Sequence, residues 1–132
     1  MSERKLEIVR EIYGKWGRGN FRAGMERYDE RTVLVMRPEF PDAGTYRGPE
    51  GISGYMRTFL GAWERVVIEA ESFREAGDRV LVGVYQRATG RGSGVPVELR
   101  YFHLWSFDGN AIVGLETIQD RSDALEAAGL GE

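Results

Sequence analysis

The chain carries one histidine, His103, in a strand-like run between Tyr101 and Trp105. An imidazole is the one side chain whose ordinary pKa lets it serve as acid, base or neutral hydrogen-bond donor near pH 7. Strand alternation sets Tyr101, His103 and Trp105 on one face, with Arg100, Phe102 and Leu104 on the other. Two rings beside an imidazole suit the wall of a site for a flat apolar ligand. They suit an aromatic core around a structural histidine equally well. The partner of His103 depends on how the hairpin through Asp108-Gly109-Asn110 is paired, because a slip of one residue exchanges the faces. A two-residue Asp108-Gly109 turn would bring Glu116 to the histidine's face as a histidine–carboxylate pair. A three-residue loop, with Asn110 left-handed and Phe107 opposite Ala111, would bring Leu115, Thr117 and Gln119 there instead.

Other chemistry is sparse. Glu39 and Asp42, in a proline-bounded loop, are the remaining acids able to reach a cavity mouth, although a solvated charge and a turn former are the plainer readings. With no cysteine there are no disulfides, thiolate metal sites or cysteine nucleophiles. One histidine without clustered acids is a poor metal site, and no Gly-x-Ser-x-Gly elbow is present. Gly90-Arg91-Gly92-Ser93-Gly94 precedes a strand instead of opening a helix, so it reads as a hairpin loop, not a phosphate cradle. Neither a metal nor an organic cofactor is expected. The net charge of -3, with no basic stripe, argues against nucleic acid. No signal peptide or membrane span is readable, so the expected location is cytoplasmic, away from membranes.

The elements that must position these residues follow from periodicity. In 132 residues with 42% hydrophobic and 30% charged content, one globular domain over 1–132 is expected. Leu6, Val9, Ile12, Tyr13 and Trp16 form a helical stripe that Ser2 can cap and Gly17 or Gly19 can end. Asn20 offers the start of a short second helix carrying Phe21, Met25 and Tyr28. Thr32–Met36 reads as a strand, and residues 38–44 as a loop, since two prolines do not suit a central strand. Pro49 opens the clearest helix, with Ile52, Tyr55, Met56, Phe59, Leu60 and Trp63 at three- and four-residue spacing. Four strands follow, Val66–Glu75, Arg79–Ala88, Pro96–Phe107 and Ala111–Gln119, and then a closing helix, Ser122–Ala128. Helices followed by a run of strands make an α+β order. A curved mixed or antiparallel sheet over the long helix would enclose a pocket.

This order of parts, with Pro41-Asp42-Ala43-Gly44-Thr45-Tyr46-Arg47-Gly48, the Gly77-Asp78-Arg79-Val80 hairpin and Ala124-Leu125-Glu126-Ala127-Ala128-Gly129-Leu130, resembles the SnoaL-like, nuclear transport factor 2-like superfamily. The resemblance spans essentially the whole chain. It implies the cone-shaped fold shared with ketosteroid isomerase, polyketide cyclases and limonene epoxide hydrolase. The isomerase's base, an aspartate before a proline, corresponds to Arg37 before Pro38, and an arginine abstracts no proton. Its oxyanion-holding aspartate corresponds to His103, and its helix-one tyrosine resembles Tyr13. The family's usual glycine, where Asn110 stands, favours the three-residue loop, in which Thr117 occupies the position of the cyclases' aspartate. The hydrolase's Asp–Arg–Asp set is incomplete, because Thr89 follows Arg87 where an acid is needed.

The resulting expectation is a small-molecule-binding protein. One version is a cofactor-independent isomerase, cyclase or hydrolase acting on a small apolar compound by proton transfer, with His103 as the catalytic group and Tyr13 and Gln119 orienting the substrate. Tyr13, Trp16, Arg37, Tyr55, Phe59, Tyr101, Trp105, Thr117 and Gln119 are the expected pocket residues. The alternatives are a non-catalytic hydrophobic-ligand binder and an interaction module. In all three, a homodimer through the outer face of the sheet, including Phe102 and Leu104, is expected.

Overall fold

The computed structural model describes residues 2–130, and the expected Ser2 side-chain cap lies outside what is described. Helix α1, Ser2–Trp16, turns a stripe of Ile8, Val9, Ile12, Tyr13 and Trp16 into the interior, where each is at most 5% exposed. Removing such side chains from water stabilises by about 1.5–3 kcal/mol apiece, so the stripe fixes α1 against the sheet.

The expected second helix is instead a turn followed by a single 3₁₀ turn at Met25–Arg27. Asn20 does accept, from the Arg22 N–H at 3.2 Å, but Gly24 adopts φ 92° and ends any helix there. A Cβ at Gly24 would stand 2.8 Å from Ile12 Cδ1, so the chain runs too close to α1 for another residue.

Strand β1 spans Tyr28–Met36, longer than its apolar run. A four-residue strand β2, Gly44–Arg47, pairs with it and had no visible period in the sequence. Helix α2, Gly48–Gly61, follows with Pro49 in its first turn. Arg91, from the glycine-rich hairpin loop, holds its far end, donating to the Gly61 carbonyl at 2.9 Å and the Trp63 carbonyl at 3.0 Å. The sheet continues through β3, Trp63–Ala76, β4, Arg79–Gly90, β5, Pro96–Asp108, and β6, Ala111–Ile118. Helix α3, Arg121–Ala128, begins where Asp120 accepts from the Asp123 N–H at 3.0 Å and ends at left-handed Gly129.

The six strands form one mixed sheet in the order β2-β1-β6-β5-β4-β3. β1 and β6 run parallel, and the other pairs are antiparallel. α1 and α2 cover one face, and α3 covers part of the other. Phe102 and Leu104, expected on an outward face open to a second copy, pack against α3 within the chain, Leu104 at 4% exposure. The apolar residues of α3, Ala124, Leu125 and Ala128, need that cover. No described helix is long and apolar enough to cross a membrane.

The β5–β6 hairpin matches neither expected loop. Asp108 pairs with Ala111, leaving a two-residue Gly109-Asn110 turn in which Gly109, at φ 62°, takes the left-handed position. A bulge at Val113 then shifts the pairing by one, so that His103 faces Thr117 and Trp105 faces Leu115. Glu116 pairs with Leu104 on the opposite face.

Candidate functional site

Between the sheet and helices α1 and α2 lies a cavity of about 940 Å³, lined mostly by apolar and aromatic side chains. That is ample for a compound of two or three fused rings, and it falls in the range of small-molecule sites. Strand alternation supplies the sheet wall: Leu34 and Met36 from β1, Tyr101 and His103 from β5, Leu115 and Thr117 from β6. The helices supply Trp16, Ile52, Tyr55 and Phe59, and the loop after β1 supplies Glu39, Phe40 and Asp42.

His103 forms part of the cavity floor at 7% exposure. Its Nδ1 lies 2.6 Å from the Tyr13 hydroxyl, and that same oxygen accepts the Trp105 indole N–H at 3.0 Å. Trp105 Nε1 only donates, so the tyrosine's own proton is left to point at Nδ1. The other assignment would send two N–H groups to the tyrosine oxygen and strand its proton in the interior, at a cost of about 1–3 kcal/mol. Nδ1 is therefore the acceptor, and the imidazole proton sits on Nε2. Nε2 has no protein partner among the described residues and belongs to a ring that borders the cavity.

The surroundings keep the ring neutral. Tyr101, Trp16, Tyr13 and Trp105 have ring centroids 5.3, 6.0, 6.0 and 6.2 Å from that of His103. Burial among them pushes its pKa down to about 3. Burial likewise raises Tyr13 well above the ordinary phenol value, and raises Tyr101 and Tyr55 as well. At neutral pH the floor thus presents a fixed, uncharged N–H donor. It offers the cavity no free imidazole lone pair, because that on Nδ1 is taken by Tyr13, and no phenolate.

Two further polar pairs mark the walls. Tyr101 donates to Gln86 Oε1 at 2.6 Å, and Tyr55 donates to Asp42 Oδ2 at 2.5 Å. Sequence reasoning missed both. For Gln86, 2% exposed, a signal existed: it interrupts the inward stripe Val80, Val82, Val84 and Ala88. No signal in one sequence links Asp42 to Tyr55, because the contact joins a loop to a helix.

Of the expected pocket residues, Trp16, Tyr55, Phe59, Tyr101, His103, Thr117 and Gln119 border the cavity. Tyr13 and Trp105 stand behind His103, holding it, and do not line the space. Arg37 is on the far face, where its Nε meets Glu116 Oε2 at 2.6 Å. Its neighbour Met36 faces the cavity, so alternation carries Arg37 away from it. That pairing raises the Arg37 pKa and occupies the one acid that a different register would have given to His103. Among the described residues no three His, Cys, Asp or Glu side chains gather as a metal site.

A six-stranded mixed sheet with helices over one face and a polar-floored apolar cavity between them defines a class of α+β pocket proteins. Within that class the chain belongs to the SnoaL-like domain family, which it matches over residues 9–115. Its fold is similar to that of an NTF2-like protein from Burkholderia thailandensis E264, at 26% identity, TM-score 0.78, covering 95% of this chain and 96% of that one. It also resembles an NTF2-like protein of unknown function from Burkholderia pseudomallei K96243 (19% identity, TM-score 0.78, coverage 93% and 95%). A putative SnoaL-like polyketide cyclase from Jannaschia sp. CCS1 shares the fold at 14% identity, TM-score 0.76, with coverage of 99% and 95%. No curated protein sequence matches the chain.

Proposed function

We propose that this protein binds a flat, largely apolar small molecule and holds a carbonyl or similar acceptor oxygen of it on His103 Nε2–H. The observation that carries this reading is the Trp105–Tyr13–His103 chain of hydrogen bonds, which spends Nδ1 and leaves Nε2–H for the cavity. A buried donor without a protein partner is costly unless a ligand or water accepts from it. Most of the remaining lining is aliphatic or aromatic.

The two probes that test it are 2-acetylnaphthalene and 2-isopropenylnaphthalene, nearly equal in shape and differing in a carbonyl oxygen against a methylene. The ketone should bind about tenfold more tightly, with its carbonyl stretch shifted to lower frequency, and His103→Phe should erase both effects. Equal affinity for the two probes in the wild-type protein would refute the reading.

The same donor favours a second, catalytic reading. A neutral N–H in a largely apolar site stabilises negative charge growing on a carbonyl oxygen, as in enolisation in which water or hydroxide from solvent takes the α-proton. A ring that is neutral, with Nε2 already protonated, suits this oxyanion contact better than proton abstraction. Exchange of the ketone's α-hydrogens for deuterium, faster with the wild-type protein than with His103→Phe, supports catalysis. No acceleration leaves a binding protein.

A further inference from the structure

The cavity has a polar mouth as well as a polar floor, and the mouth has one sign. Glu39 and Asp42 both border it, while no lysine or arginine is among the described lining residues. The nearest candidate cation in sequence, Arg37, is drawn through the sheet to Glu116. Asp42 is held in place by two phenols: Tyr55 donates to Oδ2 at 2.5 Å, and Tyr46 donates to the Asp42 main-chain carbonyl at 3.0 Å. Oδ1 has no hydrogen-bond partner among the described residues.

Aromatic rings share the cavity wall with this carboxylate. Tyr46 and Tyr55 lie with centroids 4.7 Å apart, and Phe40 meets Tyr101 edge to face at 5.9 Å. All four border the cavity, as does Asp42 itself. Ring faces attract a cation through their quadrupoles, and a fixed carboxylate adds a direct charge partner. An anionic ligand would meet two carboxylates there and no cation among the described lining residues. A half-spent carboxylate beside aromatic rings is a poor arrangement for a ligand acid and a good one for a ligand amine.

We infer that the compound this cavity takes carries a protonated or quaternary nitrogen, seated at the mouth against Asp42 and the rings of Phe40, Tyr46 and Tyr55, with its apolar body extending toward His103. This rests on the cavity being a small-molecule site, and it adds the charge class of the ligand.

Three probes on one ring system test it by quenching of tryptophan fluorescence or by calorimetry: (2-naphthylmethyl)trimethylammonium, 2-naphthalenemethanol and 2-naphthoate. The ammonium should bind about tenfold more tightly than the alcohol, and the carboxylate should bind most weakly. Asp42→Asn keeps an acceptor for Tyr55 and nearly the same shape. It should cut the ammonium's advantage over the alcohol to less than about threefold, with the folded state confirmed by an unchanged near-UV circular dichroism spectrum. Equal binding of ammonium and alcohol, or a preference that survives Asp42→Asn, overturns the assignment while the cavity reading stands. Failure of all three probes to bind overturns both.

Discussion

Lowering the pH should unfold this protein in a way traceable to one proton. His103 is neutral in the folded state with a pKa near 3, whereas an exposed histidine titrates near 6.5. Between those values the unfolded chain binds a proton that the folded chain refuses, so the free energy of unfolding rises with pH across the window and falls as pH drops through it. Each unit is worth about 1.4 kcal/mol. Acidifying from about pH 6.5, where the unfolded histidine is half protonated, to about pH 4.5 should therefore remove roughly 2 kcal/mol through this group, a sizeable part of a marginal domain's stability. Carboxylates titrate in the same range, so the measurement is a difference: urea unfolding of wild type and His103→Gln in parallel across the pH series. The wild type should lose about 2 kcal/mol more than the variant, whatever their offset at pH 7. Because the chain has one histidine, nitrogen NMR of the imidazole gives an independent check. It should show a single neutral ring protonated at Nε2, without titration down to about pH 5. Parallel stability curves for the two proteins, or a ring that titrates near 6.5, would refute both the burial assignment and the tautomer.

Two further outcomes follow from the packing. Tyr13→Phe leaves His103 Nδ1 and Trp105 Nε1–H unpartnered in the interior, so it should cost about 2–4 kcal/mol in urea unfolding and release the ring to the other tautomer, visible in the same NMR experiment. Gly24→Ala forces a side chain into the left-handed region and against Ile12, and should cost about 1–3 kcal/mol without changing probe affinity by more than about twofold.

Much of the architecture was legible because it is local. The α1 stripe, the α2 stripe behind Pro49 and the apolar, β-branched runs of the later strands leave a trace in sequence, although β4 and β5 are buried on both faces where α3 covers them. Strand β2 left none: its four residues are held by pairing with β1, and none of them is fully buried. The short second helix failed where backbone approach, not propensity, decides, at Gly24 against Ile12. The site divided in the same way. That Tyr101, His103 and Trp105 share a face was readable from alternation. That Thr117 shares the face of His103 was reached from the wrong loop, since the bulge at Val113 restores the alternation that the shorter turn would have reversed.

The sequence by itself determined the kind of protein: an α+β chain with an apolar interior, one imidazole on an aromatic strand face, and no thiol chemistry. Tertiary structure alone decided what that imidazole does. Tyr13 lies ninety residues from His103 in the chain, and Asp42 meets Tyr55 from another element. A group's protonation state and free valences are set by what is packed against it in space. Spacing along the chain records which face a residue takes, but not which residues will meet across the cavity.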